Sequence, residues 1–267
     1  MDKKVIILSI AFAAMACIQH LITKGNINRE TLTIAILSSI VLAFYFTWFI
    51  PKLNLRKRDA YFLTCITLFV VASLNNFIEA YFFTDVFNTT FTLVAAVTVS
   101  LLTTLIQTAL AIYILKPEGN ITLINAIREH VRANKHYVLR IIAASLAYFP
   151  VYLIFGLIIS PFVVPIYTNP QNGLSVPSFS LMFPLELVRG AIYAIVLASV
   201  FASLKKQKNL NFKVAATLLF IPGAFLPLLS SLTQANAFSQ VAPYHMFEIL
   251  GDSIVYGYIV SRIFHKV

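Results

Sequence analysis

Eight stretches of about twenty mainly apolar residues follow one another along this chain of 267 residues, and they decide what it can fold into. Each stretch is long enough to cross the hydrocarbon core of a bilayer, which takes about 20 residues of α-helix. Because a backbone in lipid must satisfy its hydrogen bonds internally, such stretches predict transmembrane helices. The predicted spans cover residues 5–23, 31–50, 60–83, 91–115, 137–167, 181–204, 212–232 and 246–264.

Composition agrees with this interpretation, since 59% of the residues are hydrophobic and only 11% are charged. We therefore predict an all-α, polytopic transmembrane helix bundle that forms a single transmembrane domain over residues 1–267. The sizeable polar insert at residues 117–136 leaves little else for a soluble domain. Within it Leu123, Ile124, Ile127 and Val131 recur at helical spacing, which predicts an amphipathic connector lying on the membrane surface.

The net charge of +10 is distributed very unevenly between the two sides of this bundle. Of the 20 lysines and arginines, all but three lie in the termini and in the loops of the side that the termini share. The other side holds Lys24 and Arg29, and Arg189 lies within a span. Lysine and arginine in short loops remain cytoplasmic, so both termini are predicted to be cytoplasmic in a multi-pass protein of the cell membrane. The basic side should contact anionic lipids, and a nucleic-acid partner is not expected.

The first span has a second interpretation. A basic start, an apolar run and Ala14-Met15-Ala16 before Cys17 resemble a cleavable signal. Apolar character continues to residue 23, however, which is long enough to span the bilayer. We therefore expect a first helix that is retained.

Several polar and ionisable side chains interrupt the apolar spans at one level of the predicted bundle. A charge in a span costs roughly 2.5–3.5 kcal/mol on insertion scales, so such groups usually face protein or a watered cavity. On the eighth span three of them are spaced i, i+3 and i+7 and share one helix face. The candidate site residues are Glu79, Asn75 and Asn76 on the third span, Glu186 and Arg189 on the sixth, His245, Glu248 and Asp252 on the eighth, and His20 at the end of the first. We predict that the third, sixth and eighth spans adjoin there.

Three interpretations of this group remain open. In the first, Arg189 pairs with neighbouring carboxylates and fastens the helices together, which gives a structural or accessory protein. In the second, four carboxylates exceed the one arginine and form an acidic, outward-facing site that binds a cation or small solute or relays protons, as in transporters. In the third, His245 and Glu248 ligate a divalent metal that activates water, as in an intramembrane metal-dependent hydrolase or a lipid-modifying enzyme.

Sequence motifs do not decide between these interpretations. The H-x-x-E spacing of His245 and Glu248 is common by chance and lacks the second histidine of H-E-x-x-H. The chain has no G-x-S-x-G, no G-x-G-D and no phosphate-binding loop, and it identifies no cofactor. The surplus of carboxylates favours a transporter that handles small solutes, ions or protons.

Overall fold

The computed structural model describes residues 2–87, 89–234 and 236–265, with the side chains of residues 23 and 24 left aside. Over these residues the chain is helical and contains no β-strand, which confirms the predicted all-α class. The helices are α1 (Lys3–Lys24), α2 (Arg29–Phe49), α3 (Lys57–Phe83), α4 (Thr90–Leu115), α5 (Leu123–Ala133), α6 (Tyr137–Tyr167), α7 (Phe179–Ala202), α8 (Leu210–Ser231) and α9 (Ala237–Ile263).

Seven helices of the described chain are long and apolar enough to cross a membrane, namely α1 to α4 and α6 to α8. They coincide with the first seven predicted spans. The eighth predicted span lies in α9, which is not among these seven and begins at Ala237 rather than at residue 246. The helix starts earlier than predicted because the Asn236 side chain caps it by accepting from the Ser239 N–H, and because Ala237 and Val241 are buried.

The loops gather at two ends of the bundle. At the basic end, the segment after α2 pairs with the segment after α7, through Asn54 N–H to Ser203 O at 2.8 Å and Lys205 N–H to Lys52 O at 2.8 Å. At the opposite end, here called the far end, Ser175 N–H donates to Phe83 O at 2.9 Å. Backbone hydrogen bonds between loops therefore fix both ends.

Two groups of helices pack side by side. In the first group α1 lies against α2 and α4, and in the second α6 lies against both α7 and α9, while α8 packs along α9. Helix α3 contacts α4 within its own group and α7 across the boundary. Helix α8 reaches back to α2. The boundary between the groups is therefore formed mainly by α3 and α8.

Helix α5 is the predicted amphipathic connector, and it packs on α3 and α7 at the basic end. It buries Ala126 and His130 against the bundle, whereas Ile124 and Val131 remain exposed. Gly119 precedes it, and a Cβ there would collide with the backbone of Asn54. The described residues therefore leave this apolar face of α5 uncovered.

Candidate functional site

Two π-helical turns meet at the boundary between the helix groups. One covers Phe69–Leu74 in α3 and the other covers Ile221–Phe225 in α8, and the two turns contact each other. Asn76 Nδ2 donates to Gly223 O at 2.8 Å and so joins them directly. Pro222 accounts for the turn in α8, because proline has no N–H for the helical ladder. Such π turns are rare and frequently occur at functional sites.

Next to these turns, Arg189 of α7 holds two carboxylates. Its Nη1 donates to both carboxylate oxygens of Glu186 at 2.9 Å, and its Nη2 donates to Glu79 Oε2 at 2.6 Å. Arg189 and Glu186 are buried, whereas Glu79 is partly exposed. Since Glu79 belongs to α3, this ion triad fastens α3 to α7.

Tyrosine rings enclose the arginine. The rings of Tyr148 and Tyr152 lie 5.9 and 6.0 Å from the guanidinium carbon of Arg189, which is within cation–π range. Tyr193 and Tyr256 stack edge-on against Tyr148, with ring centroids 5.2 and 5.1 Å away. These tyrosines were not among the site residues predicted from the sequence. Their one signal was the i, i+4 spacing of Tyr148 and Tyr152 in the middle of an apolar span.

On α9 a second hydrogen-bonded group lies closer to the far end. His245 Nδ1 is 2.5 Å from Glu248 Oε2, and His245 Nε2 is 3.0 Å from the Tyr167 hydroxyl. Both ring nitrogens of His245 are therefore engaged. Gly156 of α6 gives the Glu248 carboxylate room, because a Cβ at that position would lie 3.3 Å from Glu248 Oε1.

Asp252 lies one helical turn further along α9 than Glu248 and is also buried. Its Oδ1 has no hydrogen-bond partner among the described residues. Gly251 beside it lets the ring of Phe155 approach the α9 backbone, where a Cβ would collide with that ring. Asp252 is thus a buried carboxyl group, one oxygen of which has no hydrogen-bond partner among the described residues.

These side chains surround a small cavity of about 40 Å³, here called the acidic cavity. Its walls include Asn76, Glu79, Arg189, Glu248 and Asp252, together with Gly223 of the π turn. A water molecule needs about 10–15 Å³ of such volume. The acidic cavity therefore has room for a few waters or one small cation.

Most of the site residues that were predicted from the sequence lie in or next to the acidic cavity. Glu186 is bonded to Arg189 of the cavity wall, and His245 is bonded to Glu248 of the wall. Two expectations need correction. Asn75 is fully buried but is not part of the cavity wall, and its amide atoms have no hydrogen-bond partner among the described residues. His20 lies in the wall of a different cavity, because α1 packs on α2 and α4, away from α7 and α9.

The charges of this site do not balance when all its groups are ionised. Glu79, Glu186, Glu248 and Asp252 outnumber Arg189, and Arg189 is bonded to the first two of them. Glu248 is paired with His245. Among the described residues no group of three or more histidine, cysteine, aspartate or glutamate side chains is arranged to hold a metal ion. Metal binding at His245 would also require one of its two hydrogen bonds to break.

The chain matches no protein-family model, no curated protein and no solved structure.

Proposed function

We propose that the chain is an integral membrane transporter of a small solute, and that Glu248 and Asp252 bind a proton or a cation during transport. In this proposal α9 is an eighth span, both termini are cytoplasmic, and the far end faces outward from the cell membrane. The basic loops and the exposed face of α5 then contact the anionic inner leaflet. Seven membrane-competent helices and the uneven charge distribution support this placement.

The observation that carries the proposal is the division of the carboxylates into two pairs. Glu79 and Glu186 are both bonded to Arg189, which makes this triad the fastener that the first interpretation requires, and it keeps one excess negative charge when all three groups are ionised. Glu248 and Asp252 share the same cavity, and the ion-pair partner that the described residues give to Glu248 is His245, which carries a charge only when it is protonated. Two buried carboxylates near each other favour binding of a proton or cation, because full ionisation without one is costly.

The order of the helices adds a second support. The π turn of α3 lies in the third helix of the group α1 to α4, and the π turn of α8 lies in the third helix of the group α6 to α9. Interrupted helices at corresponding positions of two halves are typical of transporter sites, which lie where the halves meet. Here the two interruptions touch each other, and the acidic cavity is lined by Gly223 of the α8 turn and by Asn76, two residues after the α3 turn.

Charge displacement on ion binding tests the proposal. The protein is reconstituted in liposomes on a solid-supported membrane. The solution around them is then changed in one step, either in pH or by replacing choline with Na⁺, K⁺ or Ca²⁺. We expect at least one step to displace charge in the wild type. Asp252→Asn should abolish this signal and still fold, because asparagine keeps the shape and fixes the group as neutral.

Asp85→Asn is the matched control, since it makes the same chemical change at an exposed position of the far end. It should keep the wild-type signal. The proposal is wrong if none of the four ions displaces charge, or if Asp252→Asn responds like the wild type.

A further inference from the structure

A second, much larger cavity lies on the other side of the paired π turns, here called the far-end cavity. It has a volume of about 900 Å³, within the range of about 300–1,000 Å³ that is usual for small-molecule sites. Asn28 and Asn236, in the links that precede α2 and α9, line it at the far end. Gln107, in the interior of α4, lies in its wall. The cavity thus extends from the far end into the bundle.

The wall of this cavity is polar but uncharged. More than half of its described side chains carry a hydroxyl or an amide group, one is the imidazole of His20, and none of those described is an aspartate, glutamate, lysine or arginine. A wall facing lipid would be apolar, because polar groups without partners are costly at membrane depth. Apart from the imidazole of His20, no described side chain of the wall could act as a counter-ion to a charged ligand. The wall therefore suits water or an uncharged polar molecule.

The hydroxyls of the wall act mainly as acceptors. Ser39 Oγ donates to Ala35 O at 2.6 Å, Thr104 Oγ1 donates to Ser100 O at 2.8 Å, and Ser230 Oγ donates to Leu226 O at 3.0 Å. Each hydroxyl has one proton, so these oxygens offer only lone pairs to a ligand. Amide side chains such as Gln107 supply donors as well as acceptors. A ligand rich in hydroxyl groups can meet both needs.

The far-end cavity and the acidic cavity are lined by neighbouring residues of the same two helices. Ala72 and Ser73 of the α3 π turn and Pro222 of the α8 π turn line the far-end cavity. Asn76, which follows the α3 turn, and Gly223, which lies in the α8 turn, line the acidic cavity. Occupancy of one cavity therefore acts on the same backbone segments that border the other.

We propose that the far-end cavity is the solute site and that it takes a small uncharged polyhydroxy compound, such as a polyol or a monosaccharide. This inference rests on the proposed transport function and names its substrate class. The acidic cavity then holds the coupling proton or cation, and the paired π turns separate the two sites.

Binding to the purified protein in nanodiscs tests this assignment. Sorbitol and glucose are the neutral probes, and gluconate and glucosamine are charged probes of similar size. Thermal unfolding and calorimetry are measured at low millimolar concentrations, far below those at which polyols stabilise proteins by exclusion. We expect a neutral probe to bind the wild type and both charged probes to bind more weakly.

Thr104→Val and Gln107→Leu keep the size of the wall but remove hydrogen-bonding groups. Each should weaken binding of the neutral probe by roughly five- to tenfold. Thr98→Val is the matched control on the same helix, because Thr98 also donates to the carbonyl four residues earlier but lies exposed outside the cavity. It should bind as the wild type does.

Three results would overturn the assignment: no binding of either neutral probe, equal or tighter binding of a charged probe, or wild-type affinity in both cavity variants. These results are separate from those that test the proposed function. If ions displace charge but no polyol binds, the proposed transport function stands and the proposed solute site is wrong. Polyol binding without charge displacement would keep the solute site and remove the coupling role of Asp252.

Discussion

Asn76 of α3 donates a hydrogen bond of 2.8 Å to the carbonyl oxygen of Gly223 in α8, 147 residues further along the chain. The same amide nitrogen also donates at 3.1 Å to the carbonyl oxygen of Ala72, which lies in the preceding π turn of α3. One side chain therefore bonds to a carbonyl group of each π turn. This side chain therefore links the two groups of helices at the boundary between them.

Replacing this amide should loosen the junction of the π turns. We expect Asn76→Ala to lower the free energy of unfolding by about 0.6–1.7 kcal/mol, as measured for interhelical hydrogen bonds in membrane proteins. Thr98→Ala, which removes an exposed hydroxyl bonded only within α4, should cost less. Thermal unfolding in detergent makes the comparison. Equal losses would show that the bond to Gly223 O adds nothing.

Removing Arg189 should lower the free energy of unfolding much more, because Glu79 and Glu186 would lose the cation to which both are bonded. We expect Arg189→Ala to cost about 3–5 kcal/mol, the usual loss when one partner of a buried ion pair is deleted. Cys65→Ala, also at a buried position but without an ion pair, is the control. The double variant Glu186→Gln/Arg189→Met should recover part of the loss. Similar yields and unfolding temperatures for Arg189→Ala and Cys65→Ala would contradict the fastener role.

The contact between Gly251 and Phe155 predicts a reciprocal rescue. A Cβ at residue 251 would collide with the Phe155 ring, so Gly251→Ala should destabilise the protein by about 1–3 kcal/mol, as overpacking does. In the background Phe155→Ala the same change should be nearly neutral, because the ring is gone. A double-mutant cycle of unfolding temperatures measures this coupling. Additive effects would mean that α6 and α9 do not pack as the structure has them.

Zinc binding separates the transporter from the metal-dependent enzyme. Both nitrogens of His245 are engaged, by Tyr167 and Glu248, so we expect no stoichiometric zinc in the purified protein after incubation and dialysis. Tyr167→Phe removes the hydrogen bond to His245 Nε2, and its zinc content is compared with that of the wild type. Elemental analysis gives the ratio of metal to protein. One zinc per wild-type chain, lost in His245→Ala, would favour the enzyme instead.

Cysteine labelling tests the orientation. In a background with Cys17→Ala and Cys65→Ala, single cysteines replace Lys57, Lys135 and Lys206 at the basic end and Gln171 at the far end. An impermeant maleimide added to intact cells should label only the cysteine at residue 171, because basic loops stay cytoplasmic. Labelling at any of the three basic-end positions would reject the proposed orientation.

Much of the helical framework could be predicted from the sequence, because a long apolar stretch in lipid has few alternatives to a helix. The shared face of Glu248 and Asp252 also followed from helical spacing alone. The start of α9 was missed for a physical reason. Pro243 and His245 break the apolar pattern, but the cap at Asn236 and the burial of Val241 keep the chain helical there.

Other features depend on how helices pack, which spacing does not encode. His20 was expected near the carboxylates from its level in the membrane, but that level does not say which helices are neighbours. The π turn of α3 contains neither proline nor glycine, so nothing in its sequence indicates it. It immediately precedes Asn75 and Asn76, and of these two only Asn76 lines the acidic cavity. The role of the site residues in binding a ligand stays a prediction.

The polarity of α9 bears on how the protein reaches the membrane. With its charged side chains α9 falls short of the apolar character of the other long helices, so it is a poor candidate for insertion by itself. It packs along α8, and Gly257 permits close approach to Ala216 there. We therefore expect the translocon to release α8 and α9 as one hairpin, after α3 and α7 are already in place to receive it. Assembly of the acidic cavity would then have to wait for this hairpin, because α9 supplies Glu248 and Asp252.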